Sequence, residues 1–510
     1  MHRRRPGPNV RRQRAFGLAL ILVILVLGSV AFLVRGFTPA SLQVERDKVT
    51  ERALAQAKAA LIGRAARDDN RPGSLPCPDT DGDGVAELFA GNACPAYTGL
   101  LPWRTLGLTE LRDGSGERLW YALSPNFRDH SDVQPLNSDT RGDVVLQSAS
   151  GTLVEGTLVA LVIAPERAMG GQARPSANAG DYLEFVDPTP APTGGPPPDY
   201  VYRRQALSND SILPISHRDL FAVVDQAVFS RMKQTVVPKM QALANKWTRY
   251  PFARPFDPTA IDAPGVPNLT EGSLAWSPNA ALNPTWTGGA VNPTSGPGSL
   301  DSFSCTPSSN QLTCTIFYSG GSIGFEIVGS ATKAGLSFTD ITWTASETLG
   351  GSPAWSGVST SPSGDATARF FNATLPGTGT SPATVTLTLG LANWADRASA
   401  TPDPATEWFV KNQWYGQVYY AVSVDAAFGG SGGCAVGTSC LSVTNPLTLA
   451  TTNNNQVIMV LAGRALNGTP RPSTTLTEYL EGANQSQFDR AFESGPRTFT
   501  RNDKIAILAP

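Results

Sequence analysis

Four acids stand close together in Asp79-Thr-Asp81-Gly-Asp83-Gly-Val-Ala-Glu87. Carboxylates at alternate positions converge on one point when glycine lets the chain turn, which suits a hard cation that takes six to eight oxygens. In the twelve-residue loop of a helix–loop–helix calcium site a bidentate glutamate closes the ring, and Ala90 stands at that place. A shorter loop with its last ligand at the ninth position would use Glu87. The expectation is calcium held by Asp79, Asp81, Asp83 and Glu87, with Cys77 and Cys94 closing the loop around it. The bland alternative is a solvated acidic turn, which Asp-Gly pairs favour on their own.

Catalytic chemistry finds little to work with. The three histidines are His2, His130 in a polar stretch, and His217 at a helix start. A Ser-His-Asp or Cys-His triad would need one of the last two, and neither lies in a recognisable motif. No nucleophile elbow, phosphate-binding loop or dinucleotide fingerprint occurs. The expectation is a protein without enzymatic activity, with no catalytic residues and no small-molecule substrate. Arg174-Pro-Ser176 and Arg471-Pro-Ser473 invite an anion site, but turn and salt-bridge duty is the better reading. Trp414-Tyr415 and Tyr419-Tyr420 read as core strand, not as a sugar platform.

The six cysteines fall into neighbouring pairs: Cys77 with Cys94, Cys305 with Cys314, and Cys434 with Cys440. Local pairing suits disulfides in an oxidising compartment. Each would contribute about 2–3 kcal/mol through loop closure. No CxxC spacing points to zinc. Net charge is −2, with six arginines in the first fourteen residues. The remainder is acidic on balance and nothing in it suggests a phosphate-binding surface, so nucleic acid is not expected as a partner.

The elements that must position these residues show an internal repeat. Arg167–Glu184 (RAMGGQARPSANAGDYLE) and Arg464–Glu481 (RALNGTPRPSTTLTEYLE) agree at nine of eighteen positions without a gap. Upstream, Trp120-Tyr-Ala-Leu-Ser124 matches Tyr419-Tyr-Ala-Val-Ser423. Downstream, Asn209-Asp-Ser-Ile-Leu-Pro-Ile215 matches Asn502-Asp-Lys-Ile-Ala-Ile-Leu508. This order implies tandem duplication of one domain. A helix precedes each copy. One runs over 41–66, with Val49, Ala53, Ala57, Ala60 and Leu61 as its stripe. The other begins at a Ser216-His-Arg-Asp219 capping box and is expected to kink at Pro238. Between the second helix and its head, residues 251–404 are first Pro- and Gly-rich, then Ser/Thr-rich with alternating Val385, Leu387, Leu389 and Leu391. That pattern predicts a β-sandwich-like insertion.

Ala15 to Val34 runs twenty residues without a charge, enough at 1.5 Å per residue to cross about 30 Å of hydrocarbon. The arginines before it place the N-terminus in the cytoplasm. RQRAFGLALILVILVL, followed by RPGSLPCPDTDGDG, Leu101-Pro-Trp-Arg-Thr-Leu-Gly-Leu108 and Trp120-Tyr-Ala, resembles the type IV pilin and type II secretion pseudopilin superfamily over residues 1–216. The resemblance implies cleavage between Ala15 and Phe16 by a prepilin peptidase, and other pilin-like subunits as partners. Leu20 stands where such proteins usually carry glutamate at the fifth mature position. That departure is a feature of the large tip pseudopilin, and the duplicated head also fits a tip or minor subunit.

The resulting expectation is an α+β chain. It comprises a basic tail (1–14), a transmembrane helix (15–34) and a first pilin-like helix-plus-antiparallel-sheet unit (35–216, with its head at 70–216). A second such unit (217–250 and 405–510) carries the inserted β-sandwich-like domain (251–404). Its place would be the bacterial inner membrane, in a single pass with a cytoplasmic N-terminus, the bulk periplasmic or on a surface filament. Its function would be that of a minor subunit of a type IV pilus or type II secretion-type filament. The competing function is a membrane-tethered adhesin or ligand-binding protein that uses the β-rich insertion.

Overall fold

The computed structural model describes residues 20–29, 39–130, 134–176, 178–186, 200–204, 207–247, 249–259, 265–275, 285–308, 311–332, 341–348, 354–355, 367–375, 382–391, 403–427, 430–466 and 471–510. Two compact units divide the chain. The first holds Met1–Arg67, Gly73–Val133 and Arg141–Leu220; the second holds Asp68–Pro72, Gln134–Thr140 and Phe221–Pro510.

In the first unit, residues 20–29 form helix α1 and Pro39–Arg67 forms α2. The strands are β1 (Thr98–Leu100), β2 (Trp120–Leu123), β3 (Val144–Gln147), β4 (Leu153–Leu158), β5 (Ala160–Ala164), β6 (Phe185–Val186), β7 (Tyr200–Arg204) and β8 (Ser211–Ile215). They make two small sheets, ordered β1-β2-β5-β8 and β4-β3-β7-β6. The first is antiparallel throughout, whereas β3 runs parallel to β7. β2 and β5 are buried at every residue, as short uninterrupted apolar runs require once both faces are covered. Ala53, Leu54, Ala57, Leu61, Ile62 and Ala65 of α2 are buried. This stripe at three-and-four spacing lets α2 pack on β5 and β8.

Helix α3, His217–Trp247, follows and runs on through Pro238. Ser216 caps it reciprocally: Ser216 Oγ accepts from the Asp219 N–H, and Asp219 Oδ2 accepts from the Ser216 N–H, both at 3.1 Å.

Strand β9 (Glu271–Ser273) opens the sheets of the second unit. The insertion then supplies β10 (Thr285–Ser295), β11 (Ser299–Ser308), β12 (Gln311–Ser319), β13 (Ile323–Thr332), β14 (Ile341–Thr348), β15 (Ala354–Trp355), β16 (Thr367–Leu375) and β17 (Ala383–Leu391). These form two four-stranded antiparallel sheets, β10-β13-β16-β15 and β11-β12-β17-β14. Alternate residues from both meet in one apolar cluster, Leu312, Cys314 and Ile316 of β12 with Ile323, Phe325 and Ile327 of β13 among them. Val385 and Leu387 point into it as the alternation predicts. Leu389 and Leu391 are within β17, but their side chains lie outside the described residues.

After the insertion come α4 (Pro404–Lys411), β18 (Val418–Val422), β19 (Leu441–Thr444), β20 (Thr451–Asn455), β21 (Val457–Leu461), β22 (Ala491–Glu493) and β23 (Lys504–Ala509). Their sheets are β9-β18-β21-β23 and β20-β19-β22. β18–β21 and β21–β23 pair antiparallel and β19 runs parallel to β22, the same pairings as β2–β5, β5–β8 and β3–β7.

Two expectations are corrected. The α+β plan of a transmembrane helix followed by two helix-plus-sheet pilin-like units does not hold. The described residues are dominated by six small sheets, because each repeated unit splits its strands between two short sheets rather than wrapping one around a helix. The single-pass inner-membrane placement is overturned as well: among the described residues no helix is long and apolar enough to cross a membrane. Of the run 15–34, only the ten residues of α1 are described. α2 and α3 are long enough but carry charges throughout, Glu45, Arg46, Asp47 and Lys48 within one turn of α2 among them.

Candidate functional site

The acidic loop of the first unit closes on itself. Asp79 is only 1% exposed. Its Oδ1 accepts from the Gly82 N–H at 2.6 Å and its Oδ2 from the Gly84 N–H at 2.8 Å. Gly82 and Gly84 hold φ of +82° and +86°, a region that side-chain-bearing residues rarely enter. A Cβ at position 84 would also lie 2.5 Å from the Trp103 ring. Glu87 Oε1 accepts from the Thr80 N–H at 2.9 Å and the Thr80 hydroxyl at 2.5 Å. One carboxylate oxygen from each of Asp79, Asp81 and Glu87 lies within 4.8 Å of the others. Asp83 falls outside this group and instead accepts from the Val85 N–H. Burial pushes the Asp79 carboxyl up, the Asp81 and Asp83 charges add to that, and the two glycine N–H groups oppose it. The Thr80 hydrogen bonds hold Glu87 below the usual carboxylate range. Three carboxylates could hold calcium only with backbone carbonyls or water completing its shell.

The repeated Arg-Pro-Ser builds the same cradle in each unit. Arg174 donates to the carbonyls of Asp181, Glu166 and Tyr182 at 2.7, 2.5 and 3.0 Å. Arg471 donates to those of Glu478, Gly463 and Tyr479 at 2.6, 2.7 and 3.1 Å. Each guanidinium also lies over the ring of the tyrosine, Tyr182 at 4.7 Å and Tyr479 at 4.2 Å. Ser176 and Ser473 donate their N–H to the hydroxyls of Tyr182 and Tyr479. Three carbonyls and a ring engage most of each guanidinium's donors and its face, which is the turn duty the sequence suggests.

Downstream of each cradle two carboxyls meet, which sequence reasoning missed. The Glu184 N–H donates to Asp210 Oδ2, and the Asn209 N–H to Glu184 Oε2. Their counterparts are the Glu481 N–H to Asp503 and the Asn502 N–H to Glu481. Burial, with the Glu184 charge, pushes Asp210 up to about 8. Burial and Glu481 push Asp503 well above the carboxylate range. All four residues sit inside the repeated segments; what the sequence lacks is any sign that stretches 26 and 22 residues apart bring them together.

The units differ beside the cradle. Gly99 and Gly272 mark equivalent places on β1 and β9, opposite Tyr121 and Tyr420. A Cβ on either would strike a crossing backbone, Asp79 O at 2.7 Å or Arg254 O at 2.0 Å. Asp79 bridges Leu100 as Arg254 bridges Ser273. The Tyr121 hydroxyl donates to Pro76 O as that of Tyr420 does to Pro251 O. Residues 76–81 thus match 251–256, and Phe256 occupies the place of Asp81. In the second unit the Phe256 ring sits 6.2 Å from Tyr419 and 5.2 Å from Tyr479, and Tyr479 is 1% exposed. In the first unit the equivalent rings, Trp120 and Tyr182, lie 5.3 Å apart. They line an open cleft of about 600 Å³, walled further by Asp81, Leu100 and Pro175. The match of 76–81 with 251–256 is too weak to see in sequence, since Pro76 and Pro251 are its only identity.

Asp139, which belongs to the second unit, completes the filled counterpart. It pairs with Arg471 at 3.7 Å and accepts from the Tyr479 hydroxyl at 3.0 Å. In the first unit Glu117 pairs with Arg174 at 3.4 Å.

The disulfides are Cys77–Cys94, Cys305–Cys314 and Cys434–Cys440. His130 packs edge-on against Phe89, and His217 begins α3. Trp414, Tyr415, Tyr419 and Tyr420 are core residues. Ala15 and Phe16 lie outside the described residues. No protein-family model matches the chain, and no curated protein or solved structure matches it.

Proposed function

We propose that this chain is a non-enzymatic minor or tip-type subunit of a filament of the type IV pilus or type II secretion kind. The observation that carries the reading is the use to which the repeated residues are put. Arg174 and Arg471 tie down backbone carbonyls, and Tyr182 and Tyr479 receive backbone N–H groups, the same framework built twice. Three disulfides suit a protein that works in an oxidising compartment. Calcium is a further proposal, limited to Asp79, Asp81 and Glu87 by their shared ligand distance.

The test is N-terminal sequencing of the mature protein from cells with and without prepilin peptidase, together with a blot of the sheared filament fraction. The reading requires an N-terminus at Phe16 only when the peptidase is present, and the protein in the sheared fraction. An unprocessed chain absent from filaments would sink it.

A further inference from the structure

We propose that the cleft of the first unit is a binding site for a small organic cation that carries an aromatic ring, an arylalkylammonium in its simplest form. The inference goes beyond the filament reading and stands without it.

The ring half of this ligand is read from the second unit. There the Phe256 ring packs against Tyr419 and Tyr479, with centroids 6.2 and 5.2 Å away. Both tyrosines are 1% exposed. The first unit keeps an aromatic pair at those places, Trp120 and Tyr182, but no third ring lines the opening.

The cleft left behind, about 600 Å³, is the size of a small-molecule site, about 300–1,000 Å³. Leu100 and Pro175 extend its apolar wall beyond the two rings. An incoming aromatic ring gains tilted and edge-on contacts on such a wall. Every residue that lines the cleft belongs to the first unit.

The charge half is read from the rim. Acids at 79 and 81 take the places of Arg254 and Phe256. Asp79 is buried, and both its oxygens accept from glycine N–H groups. Asp81 is exposed, and no basic side chain pairs with it among the described residues. The two arginines of the cleft are engaged elsewhere: Glu110 holds Arg112 at 2.6 Å and Arg118 at 2.8 Å. Both also donate to carbonyls, those of Gly116 and Gly82. Glu117 is the second carboxylate on the rim, paired with Arg174 at 3.4 Å. Carboxylates beside an aromatic wall recognise an ammonium twice, through its charge and through the faces of the rings. An anion meets the same carboxylates as repulsion. Asp81 is also one of the three calcium candidates, so calcium and the organic cation compete for it.

The experiment follows phenethylamine binding to the full chain by saturation-transfer NMR, with a chelator present to keep Asp81 free of calcium. Hexylamine, which has the charge without the ring, and hydrocinnamate, which has the ring with the opposite charge, are titrated beside it. Phenethylamine should bind at least about tenfold more tightly than either, since each control forfeits one of the two contacts. Asp81→Asn should weaken phenethylamine by about tenfold, the effect of losing one charge-assisted contact. Asp81→Phe should abolish binding by filling the cleft as Phe256 does. Asp81→Asn is a conservative change at an exposed position and decides the matter should the bulkier variant fail to fold. Either control binding as tightly as phenethylamine, an undiminished affinity in Asp81→Asn, or no transfer to phenethylamine at all would each overturn the proposal.

Discussion

The two units set one scaffold to two uses. Both hold an arginine over a tyrosine, and both pair their strands in the same order. The first unit then carries a charged, disulfide-closed loop where the second carries Arg254-Pro-Phe256. Among the differences, Phe256 stands in the second unit where Asp81 stands beside the first unit's open aromatic cleft. The scaffold is thus separable from what occupies it, and the second unit displays the occupied state of the first.

Removing the cradle should cost most. Arg471→Ala should destabilise the second unit by about 3–5 kcal/mol, since it frees three buried carbonyls and strands Asp139. Arg174→Ala should cost less, because Glu117 is partly solvated and keeps water as a partner. Chemical denaturation of the two variants ranks them, and a reversed order breaks the comparison. Phe256→Ala should come next, at about 2–4 kcal/mol for a half-buried ring that leaves a cavity. Ultraviolet pH titration of the folded variant should also show a Tyr479 that titrates closer to its ordinary range, since burial is what raises it most.

Legibility followed the same divide. The cradle could be read because Arg-Pro-Ser, Tyr and Glu recur at fixed spacing, and the disulfides because each cysteine has a near neighbour. The capping box at Ser216 and the inward Val385 and Leu387 of β17 are local patterns and appeared where expected. The filled cleft could not be read. Phe256 and Asp81 share position but not chemistry, and the glycines that prove the match, Gly99 and Gly272, lie 173 residues apart in unlike surroundings. The splitting of each head into two sheets was hidden too, since short strands give no sign of which edge they will join. Three of the four acids converge as the spacing implied; Asp83 turns to its own backbone because Gly84 redirects the chain.

The buried carboxyl pairs test both units at once. Asp210 keeps its proton in the folded protein until about pH 8, whereas an unfolded aspartic acid releases it near pH 4. The folded state therefore binds more protons in between. Stability should be greatest below pH 4 for this group and fall towards pH 8, with a slope of up to about 1.4 kcal/mol per pH unit for each retained proton. Asp210→Asn should flatten the first unit's share of that slope, and Asp503→Asn the second's. Stability that rises between pH 5 and 8 in denaturant titrations, with neither variant altering it, would refute the pairing. The smallest effect belongs to calcium, which should raise the melting temperature in millimolar concentration only while Asp79, Asp81 and Glu87 are intact. Asp83→Ala should leave that response in place.

The central claim is that the first unit's cleft is the second unit's core left open, and a crystal structure of Asp81→Phe tests it most directly. The introduced ring should pack against both Trp120 and Tyr182, with centroids about 5–6 Å from each as around Phe256, and Tyr182 should become fully buried. A ring turned to solvent over an unchanged, open cleft would contradict the account.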